Sequence, residues 1–161
     1  MRTVKVLDNC FVRPAREEDY AQIETIMQQV QEMHIQMRGD VYKPCDTMLP
    51  KEQFQYILER NLVHVAESDK RVVGVMSFMP RHVVSPTRIP RDVLFVDILA
   101  VHKKYRHRGV GRMLFERMKE IAHEGGFERV EAQVCCANPL AYDIFLHYGF
   151  MEKTITLELI R

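Results

Sequence analysis

Residues 93–101, VLFVDILAV, are apolar almost without interruption, with one acid, Asp97, inside the run. A strand apolar on both faces has to be covered on both, which predicts the interior of a sheet with layers on either side. The chain has 161 residues, enough for one domain over 1–161 with a real core.

The other periodicities supply the layers. CFVR (10–13), closed by Pro14, reads as a short strand. Between about Glu17 and Met37, apolar residues recur at Tyr20, Ile23, Ile26, Met27, Val30, Met33 and Met37, the spacing of a helix with one packed face. Pro50 opens a second, short helix to Arg60. LVHVAES (62–68) and VVGVMSFMPRH (72–82) are β-branched strands about an Asp69-Lys70 turn, and VVSPTRIPRD (83–92), with two prolines, reads as a loop. After the apolar run, Val110, Leu114, Met118 and Ile121 mark a helix that stops at Gly125-Gly126. Val130–Val134 is a strand, and Pro139–Tyr148 a helix with Asn138 as N-cap and Pro139 in its first turn. FMEKTITLELI (150–160) alternates like a last strand. The predicted order is β-αα-βββ-α-β-α-β: an α/β (α+β) domain with a mixed central sheet flanked by helices.

Between the central strand and the next helix stands YRHRGVGRMLF (105–115). It is no dinucleotide fingerprint, because the third glycine is missing and a long basic loop replaces the tight turn. It is no P-loop, because no Gly-Lys-Ser/Thr follows. A plain strand-to-helix turn with solvated basic residues is one reading. The other starts from free N–H groups at a helix start, which together with the dipole favour an anion. Glycines let those donors approach a phosphate, and Lys103, Lys104, Arg106, Arg108 and Arg112 add full charges. On physics alone, the second reading is a diphosphate ligand.

Arg106-His107-Arg108-Gly109-Val110-Gly111 is similar to the Arg/Gln-x-x-Gly-x-Gly/Ala signature of the GCN5-related N-acetyltransferases (the GNAT superfamily). VDILAV stands the usual distance before it, and NPLAYDIFLHYGF resembles the family's later Asn-x-x-Ala…Gly-Phe segment. With the element order, the resemblance covers most of the chain. It implies the GNAT fold and acetyl-CoA as co-substrate. Backbone N–H groups of residues 107–112 (His107, Arg108, Gly109, Val110, Gly111, Arg112) would cradle the coenzyme A pyrophosphate, with Arg106 and its basic neighbours facing the ADP phosphates. Leu99 and Val101 would offer main-chain bonds to the pantetheine arm near a splay in the strand. Asn138 is either a group that reaches the cofactor or simply a helix cap.

Acetyl transfer to an amine needs a neutral amine, a donor for the oxyanion and a proton for the departing thiolate. Relatives commonly supply that proton from a tyrosine in the helix after the asparagine. Aligned on Asn138, Ala141 and Gly149-Phe150, that position is Phe145, which has no proton to give. Tyr142 and Tyr148, three residues to either side, are either substitutes or packing residues; water is a further donor. Asp97 is the candidate base, with burial expected to raise its pKa, or else a structural carboxylate. Gln133 stands where some protein-acetylating relatives place a catalytic glutamate, so that mechanism loses support. By the same resemblance the acceptor would meet His34, Arg38, Asp40, Tyr42 and the 82–92 loop. Only one strand fits after Phe150 where many relatives have two, so an unpaired edge there invites a second chain and a homodimer.

A net charge of +1 argues against a nucleic-acid binder. No stretch approaches the roughly 20 apolar residues of a membrane span. The opening residues lack a signal-peptide pattern, and Cys10, Cys45, Cys135 and Cys136 form no C-x-x-C pair. The expectation is a cytosolic protein with structural thiols and no metal. Its predicted activity is transfer of acetyl from acetyl-CoA to a primary amine, a small molecule rather than a protein, by direct attack in a ternary complex. The alternative is a non-catalytic acyl-CoA binder or sensor of the same fold.

Overall fold

The computed structural model describes residues 7–161; the signal-peptide reading falls partly on residues 1–6, outside the described residues. Strands β1 (Cys10–Pro14), β2 (Val63–Ser68), β3 (Arg71–Ser85), β4 (Arg88–Val101) and β5 (Arg129–Ala132) form one sheet in that order. The first four are antiparallel, while β4 and β5 run parallel, so the sheet is mixed. Helices α1 (Tyr20–Met37), α2 (Lys51–Glu59), α3 (Val110–Glu124) and α4 (Pro139–His147) complete the fold.

The apolar run does what its composition requires, because both faces of the sheet are covered. On one face Ile23 and Ile26 of α1, with Leu49 and Phe54, pack on Val63, Val65, Val72, Val75 and Ala100. On the other, Val110, Leu114, Phe115, Met118 and Ala122 of α3 pack on Ala66, Val73, Met76, Phe78, Leu94 and Val96. Gly74 allows the start of α3 to sit close: a Cβ there would lie 3.0 Å from Val110 Cγ1 and 3.1 Å from Leu114 Cδ1. The β2–β3 turn has φ of 49° at Asp69 and 61° at Lys70, the backbone of a tight hairpin turn.

β1, β2 and the entry to α1 are tied by one partly buried cation and the buried Asp19. Arg13 donates to both carboxylate oxygens of Asp19, at 2.7 and 3.0 Å, and to Glu67 at 2.6 Å. Burial pushes the Asp19 pKa up, but hydrogen bonds from Arg13 and the Arg16 backbone outweigh it and hold the group below its usual value. Removing Arg13 would leave the buried Asp19 carboxylate without its partner, which is destabilising.

Two expectations are corrected. Residues 83–92 are no loop: β3 and β4 run on as a hairpin that turns at Pro86-Thr87, with Val83 paired to Arg91 and Ser85 to Arg88. Pro90 is tolerated because it falls inside that register irregularity, where no ladder N–H is needed. Nor is 150–160 a strand in this chain. Its alternation is intact, but among the described residues no other segment offers it a backbone ladder, and a strand exists only when paired. Among the described residues no helix is long and apolar enough to cross a membrane.

One buried group makes the fold sensitive to acid. His64 on β2 is 2% exposed, its Nδ1 has no hydrogen-bond partner, and Phe78 lies edge-on at 6.2 Å. Burial, then the charge of Arg117, pushes its pKa down to about 4. The unfolded chain therefore binds this proton more readily than the folded one. The stability His64 allows is complete above its ordinary value of 6.5 and is lost as pH falls towards about 4. In thermal melts across that window, His64→Leu should flatten the acid-side loss; a wild-type slope in the variant rules the explanation out.

Candidate active site

The ladder between β4 and its neighbours fails on both sides of one residue. On the β3 side the register jumps from Val96 opposite Phe78 to Ile98 opposite Ser77, so Asp97 is an extra, unpaired residue in a bulge. On the β5 side pairing stops at Val96 with Ala132, while β4 runs on to Val101. The two segments part, which is the splay expected near Leu99 and Val101. The opening forms a cleft of about 280 Å³ lined by His34, Tyr42, Phe95, Val96, Asp97, Gln133, Val134 and Cys135.

Asp97 is exposed, correcting the expectation of burial. The bulge is the reason: it breaks the alternation that would have turned this side chain into a covered face. In the cleft lining, His34 of α1 and Tyr42 of the loop that follows it stack, with ring centroids 4.8 Å apart and an interplanar angle of 23°. Burial lowers the His34 pKa, and burial followed by the neighbouring Cys135 raises that of Tyr42, so both rings are favoured in their neutral forms. Arg38 is engaged elsewhere, donating to Asp40 at 2.7 and 2.8 Å and to Glu158 at 2.6 Å. Arg38, Asp40 and the 82–92 hairpin do not line the cleft. Phe95, Val96, Val134 and Cys135 escaped the sequence reading, because ordinary strand residues become lining only where the ladder opens.

At the end of β4 the chain makes a short 3-10 turn (Lys103–Tyr105) and then the glycine loop. His107 and Gly109 have φ of 60° and 82°, and the left-handed conformation at Gly109 delivers the chain into α3. Among the described residues the backbone N–H groups of 107–112 find no acceptor; the first helical bond is Met113 N–H to Gly109. Six consecutive free donors leading into a helix make a candidate anion cradle. The Cβ that Gly111 lacks would meet only Val101 Cγ2, at 4.0 Å, so close packing does not explain the glycine. Arg108 sits 5.9 Å from the Tyr105 ring, and Arg112 is exposed. Arg106 has turned inward, its Nε donating to the Val101 carbonyl at 3.1 Å, which occupies one of the main-chain groups expected to meet pantetheine. The field is positive here: burial, then Lys104, Lys103 and Arg106, lower the His102 pKa.

Asn138 is buried and caps α4, its side-chain oxygen accepting from Ala141 N–H at 3.1 Å. Phe145 packs edge-on against Phe115 and Phe150, at 5.2 and 4.9 Å, and Tyr148 stacks on Phe115 at 4.1 Å. Tyr142 donates to Glu152 at 2.9 Å, which with burial raises its pKa. None of these three rings lines the cleft. Among the described residues no cluster of three or more His, Cys, Asp or Glu could hold a metal.

Known structures share this fold. A mutant of the BH1408 protein from Bacillus halodurans is 23% identical, with a TM-score of 0.85 over 94% of this chain and 99% of that one. The aminoglycoside acetyltransferase AAC(6')-Iy, in complex with the bisubstrate analogue CoA-S-monomethyl-acetylneamine, is 14% identical, with a TM-score of 0.71 over 96% and 99%. A Trypanosoma brucei acetyltransferase is 19% identical, with a TM-score of 0.66 over 95% and 100%. No curated protein sequence matches the chain. The model of the Acetyltransferase (GNAT) family matches residues 27–150, and the chain therefore belongs to that family.

Proposed function

We propose that this GNAT-family acetyltransferase moves acetyl from acetyl-CoA to a primary amine on a small molecule, by direct attack while both substrates are bound. The observation that carries the reading is a run of six N–H groups leading into α3 with no acceptor among the described residues, on the loop that follows the strand forming the cleft. In this reading residues 107–112 hold the coenzyme A pyrophosphate, with Arg108 and Arg112 beside it. The pantetheine lies in the opening between β4 and the chain beyond β5, using free main-chain groups around Leu99 and Val101. The second carbonyl lone pair of Val101 is still available beside Arg106, and Asn138 reaches the cofactor with the amide NH2 that capping leaves over.

The amine nitrogen attacks the thioester carbonyl carbon, the C–S bond breaks, and the products are an amide and coenzyme A thiol. The exposed Asp97 draws in the ammonium form and accepts the proton that nitrogen loses. Water supplies the thiolate proton, because Phe145 has none, Tyr148 is packed in the core and Tyr142 is bound to Glu152. Stacked His34 and Tyr42 form the acceptor wall. A cleft of about 280 Å³ suits a small amine better than a folded protein surface. The similarity to an enzyme whose bisubstrate analogue carries neamine supports the same class. Free Cys10, Cys45, Cys135 and Cys136 support a cytosolic setting. A second reading, a non-catalytic acyl-CoA binder, is favoured by Phe145 alone.

Saturating coenzyme A should raise the melting temperature, since ligand at a hundred times Kd adds about 2.7 kcal/mol. Gly111→Val should melt close to wild type without ligand and lose most of that rise; an undiminished rise refutes the cradle. Asp97→Asn should lower kcat/KM for amine on the order of 10²-fold with coenzyme A affinity unchanged, measured as free-thiol release over a panel of polyamines, amino acids and aminoglycosides. Coenzyme A binding without release by any amine moves the protein to the second reading.

A further inference from the structure

Asp97 is the only carboxylate in the cleft lining, and the lining holds no lysine or arginine. Burial favours the neutral forms of His34 and Tyr42, so neither ring competes with it as a charge. The amine of an acceptor therefore has one anionic partner in the cleft. The rest of the acceptor lies against the neighbouring lining, which two residues back along β4 is Phe95.

Phe95 carries a cation. Met79 stands opposite Phe95 and Arg81 opposite Val93, so alternation puts Met79, Arg81 and Phe95 on one face of the sheet. Arg81 and Phe95 are diagonal neighbours, a relation that long side chains bridge. The Arg81 guanidinium sits 3.6 Å from the Phe95 ring centroid, a stacking distance. A stacked guanidinium keeps its N–H donors around its rim, where two of them match a carboxylate or phosphate in parallel. The paired hairpin fixes the backbone from which this side chain springs, since the ladder continues past Arg81 to Val83 and Arg91.

That cation is also uncommitted. Asp92, the only acid between residues 81 and 92, lies 2.7 Å from His82 Nδ1. Glu128, just before β5, accepts from Arg91 at 3.2 Å. Among the described residues Arg81 forms no ion pair and no side-chain hydrogen bond. Carboxylate, ring and guanidinium thus follow one another, with about 7 Å of strand between Phe95 and Asp97. A second ammonium placed on the ring would meet a like charge, whereas an anion there would meet an open pair of donors.

We propose that the acceptor is an amine whose other end is anionic, a carboxylate or a phosphate, joined by a short apolar chain. The amine meets Asp97, the chain crosses Phe95 and the anion binds Arg81. Arg81 is then the specificity-determining residue, and it turns away polycationic amines by repulsion. The inference rests on the acetyltransferase reading and names its substrate class.

Four amines with the same three-carbon chain test it. γ-Aminobutyrate, aminopropylphosphonate, n-butylamine and trimethylenediamine end that chain in a carboxylate, a phosphonate, a methyl and an ammonium. With saturating acetyl-CoA, free-thiol release should give an anionic-end amine a kcat/KM roughly tenfold above butylamine, mainly through KM, with the diamine lowest. The better of the two anionic probes identifies the group that Arg81 takes. Arg81→Glu should reverse the order in favour of the diamine. If that variant misfolds, Arg81→Gln should bring the anionic-end and methyl-end amines level. Equal wild-type values across the set overturn the proposal, as does an order that no substitution at Arg81 moves. Turnover of other amines with none for the anionic pair overturns it and leaves acetyl transfer standing; coenzyme A binding without release by any amine overturns both.

Discussion

The separation of β4 from β5 is the constraint on which the rest of this molecule depends. Parallel pairing ends at Val96 and Ala132, and the bulge at Asp97 breaks the opposite ladder at the same point. Continuous pairing would bury the main-chain groups of residues 97–101 in hydrogen bonds. Instead the strand has a free edge, and a cleft opens there inside a sheet that both layers otherwise cover. A bulge and a lost pair weaken a sheet locally. The covered faces on either side offset that loss, because Val96 and Ala100 remain buried in opposite cores.

The glycine loop depends on the same strand. β4 delivers the chain to Lys103–Tyr105, and Gly109 turns it into α3. The helix is then held against β3 by Val110 and Leu114, which Gly74 admits to close contact. An anion cradle built of backbone N–H groups is only as rigid as the helix that carries it. The absence of a side chain at Gly74, on the far side of the helix, is thus part of how the cradle is held. Arg106 contributes by fastening the loop to the Val101 carbonyl, a positioning duty its place in a basic cluster does not reveal.

Much of this was legible in the chain. Helical spacing located α1, α3 and α4 to within about three residues, and the β-branched runs located β2 and the first part of β3, because periodicity and branching act locally. The glycine motif was legible too, since a left-handed turn at a helix start demands glycine wherever it occurs. Residues 83–92 were misread because two prolines signal a loop, while the hairpin absorbs Pro90 in a register irregularity that only the paired strand reveals. Asp97 was read as buried from apolar neighbours, but a bulge is a relation between two strands and leaves no mark on one. Residues 151–160 keep the pattern of a strand without its ladder, because alternation is written in one segment and pairing needs two.

The sequence by itself determined the layered mixed fold, the glycine loop ahead of a helix, and a phenylalanine, with no proton to give, at position 145. Each follows from residue type and short-range spacing, which act within a few turns of chain. The tertiary structure decided which groups meet. It brought His34 and Tyr42 to face Asp97, turned Arg106 inward, committed Arg38 to Asp40 and Glu158, and left the edge of β5 open. Those outcomes turn on the register between strands and on competition among partners distant in sequence, and only the assembled sheet settles either.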